Sequence, residues 1–370
     1  MQSQHFIFYA WRLSWYSGKV RSYLQHKGIP FIEKKPSLLT FKKTIPQHCG
    51  GDGAIPVLVS PEGEWLQDST MIIERLENRF PDDPINPSTP IQCFFSMLVE
   101  IWADEYWHPT AEHYRFSFPE NFPVWRNELS TLLPGFPRFL QHAVVKHFYK
   151  FMLIVTRQVG VEPEKYALIE QWSQTQLDAL DKHFESMPYL LGTRASLADF
   201  SLMGPINGHL AWDPYSFKKL IEPRKYLHEW IMRMSNKRSI GGDFLGEDQL
   251  PDSLQTMLRS LFSDLLPYLE KCAELVDSLP RESATDTRYA RLGPYVTIPF
   301  GDGELRRVVV PYTLWMVQRV LDYFKNLPEG DAQMVRTWLQ RNGGEGLLAL
   351  QFPRVRRIGL HIAPEINLTN

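Results

Sequence analysis

The feature that most constrains this chain is the order of strand and helix signals across residues 5–80, broken by one Ile-Pro dipeptide. HFIFYA reads as a buried strand, and SGKVRSYLQHKG as a helix in which Val20 and Leu24 stand one turn apart and Gly28 stops the run. IPFIEKK supplies a second strand, and so short a crossover favours parallel pairing. After a weak helical signal at residues 38–43, the runs 57–60 and 64–66 flank Pro61-Glu62-Gly63, a hairpin signal with Gly at its turn. STMIIERLENRFP then sets Ile72, Ile73 and Leu76 on one helix face, with Ser69 placed to cap it. Pro56 just ahead of a strand cannot donate a ladder hydrogen bond, and a cis Ile55-Pro56 bond would turn the Ile55 backbone toward an open site.

Beyond this unit DDPINPSTP, rich in prolines and turn formers, reads as a linker. Helix-period apolar patterns then fill residues 91–114, 126–158, 163–187, 197–212 and 224–235. After SIGGDFLGED comes a long helical pattern at 250–279, then RESATDTRY as an exposed loop. YVTIPFGDGELRRVVVPY reads as a hairpin turning at Gly-Asp-Gly, and helices are expected at 313–327 and 333–341. No internal repeat is visible. The expected division is a small domain at 1–81, a linker at 82–90, an all-helical domain at 91–240 and an extension at 241–370.

Composition narrows the function classes. A net charge of -2 with 44% hydrophobic and 22% charged residues describes a globular chain with no broad footprint for nucleic acid. Cys49, Cys93 and Cys272 are far apart and show no metal-ligand spacing, so reduced thiols are expected rather than disulfides or zinc. FYKFMLIVTRQVGV is broken by Lys150 and Arg157 well short of the ~20 residues of a spanning helix. Without a basic N-terminal region and apolar core, no secretory signal is read, and the expected location is cytoplasmic.

The order β-α-β, Ile-Pro, β-β-α is that of a thioredoxin-like domain. Residues 1–80 resemble the glutathione-binding domain of glutathione S-transferases in SWYSGKVRSYLQHKGIPF, AIPVLVSPEGEWLQDSTMIIERLENRFP and the linker. Residues 91–240 resemble that family's helical domain, most clearly in YLLGTRASLADFSLMGPI. Within it SLADF satisfies a capping box of Ser196 with Asp199, a folding element. The implied architecture is α/β plus all-α, with a mostly helical extension carrying a β-hairpin. The implied chemistry is attack of glutathione, a co-substrate, on an electrophilic apolar small molecule, as in detoxification. A homodimer is also compatible with the family.

The resemblance carries specific residues with it. Ile55, before Pro56, would pair its backbone with the cysteinyl part of glutathione, while Asp68 and Ser69 would grip the γ-glutamyl end. A carboxylate at the start of a helix meets free N–H groups and the positive dipole end, so this assignment has a physical basis of its own. An ordinary helix cap is the plain alternative for the pair. A thiol mostly protonated near neutral pH needs a donor to stabilise its thiolate. Ser14 falls where serine-type members place that hydroxyl, with Ser17 read as the cap of the helix; Tyr9 and Tyr16 are the rival hydroxyls. In the zeta pattern Ser-Cys stands where this chain has Trp15-Tyr16, which counts against zeta-type isomerase chemistry.

In EIWADEYWHPTAEHYRF, Glu100, Asp104 and His108 lie four apart with His113 a turn on, a spacing that metal ligands can share. The reading preferred is a solvated or cleft-lining face and no metal. By the resemblance this helix walls the second-substrate pocket, to which Tyr16, Trp107 and His108 are assigned. Arg306-Arg307 and Arg354 with Arg356-Arg357 form basic clusters of unassigned role. The alternatives are a non-catalytic binding or scaffold protein of the same fold, and a glutathione-dependent isomerase or dehalogenase.

Overall fold

The computed structural model describes residues 5–131, 137–236, 241–283 and 285–365. Short β-rich segments at the start pair as read: β1 (Phe6–Tyr9), followed by helix α1 (Trp15–His26), lies parallel to β2 (Phe31–Lys34). A wide turn at Thr40–Thr44, where most of the weak helical signal of 38–43 stood, leads into α2 (Ile45–His48). Strand β3 (Val57–Val59) runs antiparallel to both β1 and β4 (Trp65–Gln67), giving the order β2-β1-β3-β4 with α3 (Ser69–Arg79) behind it. This is the expected thioredoxin-like arrangement, and the Ile55-Pro56 bond is cis.

The helical run is α4 (Pro90–Ile101), α5 (His108–Phe116), α6 (Phe122–Ser130), α7 (Arg138–Val155), α8 (Tyr166–Ser186), α9 (Leu197–Pro205), the single turn α10 (Pro214–Ser216) and α11 (Lys225–Met234). The pattern at 126–158 is thus answered by α6 and α7; residues 132–136 between them lie outside the described residues. The long pattern at 250–279 is broken into α12 (Gln255–Ser260), a wide turn, α13 (Leu266–Glu274) and short 3-10 turns. Strands β5 (Tyr295–Phe300) and β6 (Gly303–Val308) form the expected hairpin about Gly301 and Asp302. Helices α14 (Tyr312–Lys325), α15 (Glu329–Asn342) and α16 (Gly346–Ala349) follow. A second hairpin, β7 (Val355–Ile358) with β8 (His361–Pro364), occupies the stretch read only as a basic cluster.

Both Ser196 and Asp199 make the capping box, and the buried Asp199 carboxylate also accepts Leu190 N and Trp230 Nε1, satisfying donors from three segments. One hydrophobic core runs from β1 through α4 and α9 to α13 and α14. The extension is therefore built into the core rather than appended to it. At its centre α1 crosses α9 and the turn that follows it closely: a Cβ on Gly18 would stand 3.2 Å from Gly208 Cα in that turn, and one on Gly204 in α9 2.5 Å from the Trp15 indole. Trp15 has no room to yield, since its ring stacks on His108 at 4.7 Å and meets His209 edge-on at 5.3 Å. Gly204→Ala is accordingly expected to cost about 1–3 kcal/mol by overpacking, read as a lower urea midpoint with unchanged m-value.

Candidate functional site

A cavity of about 310 Å³, at the small end of the range for ligand sites, opens where the sheet edge, the helical region and the extension meet. The small domain contributes Tyr16, Ile55, Pro56, Gln67, Asp68, Ser69 and Thr70. Asp104, Glu105 and His108 come from the α4–α5 region, and Arg291, Tyr312 and His361 from the extension. Sequence reasoning thus places Ile55, Pro56, Asp68, Ser69, Tyr16 and His108 on residues that line one space.

Local structure explains most of these positions. The Gln67 amide donates to the carbonyls of Asp52 and Ala54, holding the loop ahead of Pro56. Asp68, at φ 89°, is the N-cap of α3 and accepts Met71 N at 3.1 Å, so Ser69 is the first helical residue and not the cap. The N–H groups of Ser69 and Thr70 have no hydrogen-bond acceptor among the described residues, and they sit at the positive end of the α3 dipole. The Ile55 peptide group likewise makes no backbone hydrogen bond among the described residues.

Of the two serines of the first loop, the helix cap is Ser14 and not Ser17. Ser14 is the N-cap of α1, its Oγ accepting Ser17 N at 3.3 Å, and it does not line the cavity. Ser17 is fully buried and accepts Trp11 N at 3.5 Å. The cap falls at Ser14 because α1 begins at Trp15, two residues before the apolar period becomes visible. Tyr16 reaches the cavity and donates to the Asp104 carbonyl at 3.1 Å; desolvation, then the Glu105 and Asp104 charges, hold its hydroxyl well above the usual tyrosine value. Tyr9 lies outside the cavity and stacks on Trp65 at 5.7 Å.

Trp107 requires a correction. It is fully buried, packs edge-on against Trp102 and Trp172 at 5.2 Å each, and belongs to the core rather than the cavity wall. His108, one residue on, lines the cavity. It is pushed down to about 4 by desolvation and by the Arg307 charge, hence neutral at pH 7.

Between α4 and α5 the helix widens into one π-turn at Trp102–Tyr106. Adjacent carboxylates, Asp104 and Glu105, both line the cavity from this turn. Burial, reinforced by the Asp104 charge, pushes Glu105 up to about 8, against the pull of Arg307 and a hydrogen bond from Thr313. Glu100 and Asp104 are not a metal pair: both bind Lys19 Nζ, at 2.7 and 2.6 Å. Glu100 also accepts Thr70 Oγ1 at 2.8 Å and Arg319 Nη1 at 2.8 Å, and Arg319 bridges on to Glu74. His113 bonds Ser117 and Glu170 instead.

Three features of the site escaped the sequence: the buried Lys19, the hydroxyl of Tyr312 donating to Asp68 Oδ2 at 2.8 Å, and the latch of His361 on Asp52 at 3.2 Å. The last two bring the extension onto the loop and helix start that flank Pro56. The GELRRVVVPYTLW run gives no local sign that its tyrosine reaches back to residue 68.

A family model described as the glutathione S-transferase N-terminal domain matches residues 8–84. A curated relative, the isoprene-epoxide–glutathione S-transferase of Rhodococcus sp. (strain AD45), is 23% identical over 235 residues, covering 62% of this chain and 94% of the relative. Among solved structures, a GST-like protein from Pseudomonas syringae is 20% identical with a TM-score of 0.43, covering 68% of this chain and 78% of that one. The beta-etherase LigF from Sphingobium sp. strain SYK-6 is 24% identical with a TM-score of 0.40, covering 65% and 97%.

Proposed function

The N-terminal domain of this chain belongs to the glutathione S-transferase family, and on that premise we propose that the cavity binds glutathione and directs its thiolate at an electrophilic apolar small molecule. The observation that carries the reading is the meeting of Ile55, Asp68 and Ser69 on one cavity, each with a group suited to a different part of the tripeptide. The uncommitted Ile55 peptide can pair with the cysteinyl backbone as one strand pairs with another. The free N–H groups of Ser69 and Thr70 suit the γ-glutamyl carboxylate, and the Asp68 carboxylate suits its ammonium.

For the thiolate, Tyr16 is the hydroxyl that lines the cavity, while Ser14, outside that lining, is the one with a free O–H. Its oxygen accepts from Ser17, which leaves its O–H uncommitted among the described residues. The Tyr16 O–H is already given to a carbonyl. In this reading residues 1–81 are the glutathione-binding domain, joined by 82–90 to an all-helical domain at 91–240, and the extension from 241 closes the cavity through Arg291, Tyr312 and His361. An epoxide, the electrophile in the name of the Rhodococcus relative, is one member of the proposed substrate class.

A non-catalytic binding role has one observation in its favour: Tyr312 already engages the Asp68 oxygen that the ammonium would use. Retention on immobilised glutathione separates the readings. The wild-type chain is expected to be retained and to elute with millimolar glutathione. Asp68→Asn keeps a good cap at a positive-φ position but removes the charge, so it should bind about tenfold to a hundredfold more weakly, with only a modest loss of thermal stability from the weakened Tyr312 bond. A wild-type chain that ignores glutathione at millimolar concentration would sink the proposal. Product analysis then distinguishes conjugation from isomerisation or dehalogenation.

A further inference from the structure

We propose that the outward face of α7 docks this protein on an anionic lipid surface, lying in the interface without crossing it. Leu140, Val144, Phe148, Phe151 and Ile154 recur every three or four residues and form one stripe. All five are exposed, Phe151 by 53% and Ile154 by 64% of their surface. The helix is held from the other side: Val145 is buried with Leu13, Phe116, Trp125 and Leu129 in a small cluster separate from the main core. Phe148 also stacks on Trp125 at 6.0 Å, while Leu140, Val144, Phe151 and Ile154 belong to neither buried cluster.

The charge pattern selects the occupant. Arg138–Val155 contains no Asp or Glu, although the chain as a whole carries 42 acidic residues against 40 basic ones. Lys150 edges the stripe beside Ile154, Lys146 lies further round the exposed side of the helix, His147 stands within the stripe, and Arg138 is at the helix start. Neither lysine nor Arg138 is in an ion pair among the described residues. An apolar stripe edged by lysines is the pattern of interfacial helices, in which the rings enter the headgroup boundary and the lysines meet anionic lipid. Spanning is ruled out, because no helix among the described residues is long and apolar enough. A second copy is the poorer partner: two-fold pairing through the stripe would bring Lys150 and His147 of both chains together, with no carboxylate from either helix to answer them.

The test is co-sedimentation of the full chain with vesicles of phosphatidylcholine alone or mixed with phosphatidylserine. Binding is expected only to the mixed vesicles, and it should fall as salt is added. Phe148→Ser with Phe151→Ser should weaken partition about tenfold or more. Lys146→Gln with Lys150→Gln should weaken it by about fivefold per charge while leaving the apolar stripe intact, and so decides the matter if the first variant folds poorly. Both variants lie away from the cavity and should keep wild-type retention on glutathione, so this result is read independently of the proposed function. Absence of binding to mixed vesicles, binding indifferent to both pairs, or a solution dimer that the phenylalanine pair dissociates would each overturn the proposal.

Discussion

Lys19→Ala is expected to lower the unfolding free energy by about 3–5 kcal/mol, seen as a lower urea midpoint at pH 7. Lys19 has no exposed surface, and its ammonium lies between two buried carboxylates, Glu100 and Asp104. Desolvation works against its charge, but Asp104 and Glu100 outweigh that effect and hold its pKa above the ordinary lysine value. Removing the cation strands the acids it serves. Glu100 keeps Arg319 and Thr70, whereas Asp104 keeps no cation in contact among the described residues. Asp104, pushed up to about 7 even in the intact site by burial and by the Glu100 charge, should then take a proton. Adding Asp104→Asn to Lys19→Ala is therefore expected to restore part of the loss, because it deletes the group left uncompensated. An additive double variant, or a Lys19→Ala chain as stable as wild type, would count against this role.

That cluster also shows where sequence reasoning stops. The order β-α-β, Ile-Pro, β-β-α was legible because every step is local: alternation, a turn glycine, a helix period, a proline before a strand. The Ser196–Asp199 capping box and the Gly301–Asp302 turn were legible for the same reason. Lys19 was not, since a lysine in the first turn of a helix normally faces solvent, and its partners lie 81 and 85 residues away. Tyr312 reaches Asp68 across 244 residues, and Arg319 reaches Glu74 across 245. The shift of the helix cap from Ser17 to Ser14 has a smaller cause. Trp15-Tyr16 looks like loop because its aromatics break the apolar period, yet one ring packs against α9 and the other reaches the cavity, so helix geometry begins two residues early.

Between pH 6.5 and 8.5 the protein is expected to lose stability, and Glu105→Gln should remove about 2 kcal/mol of that loss. Glu105 titrates near 8 in the folded chain because burial and the Asp104 charge disfavour its ionised form, against about 4.5 unfolded. A raised folded pKa means that the native state holds the proton longer. Stability is then undiminished below pH 4.5 and is lost progressively as pH climbs through 8. Asp104 and Glu112, both pushed up to about 7 chiefly by burial, act with the same sign over a lower window. Buried histidines oppose them at acid pH. His108, down to about 4 through desolvation first and Arg307 second, favours the native state as pH rises from 4 to 6.5 and adds nothing above that. The interval above 6.5 thus isolates the acids, and within it Glu105 has the highest pKa of the three. Glutamine keeps an acceptor for Thr313 and cannot ionise, so urea midpoints of Glu105→Gln should fall only about half as steeply as wild-type midpoints, the remaining slope coming from Asp104 and Glu112. Parallel slopes in the two proteins would mean that Glu105 is ionised throughout, with Arg307 as its effective counterion.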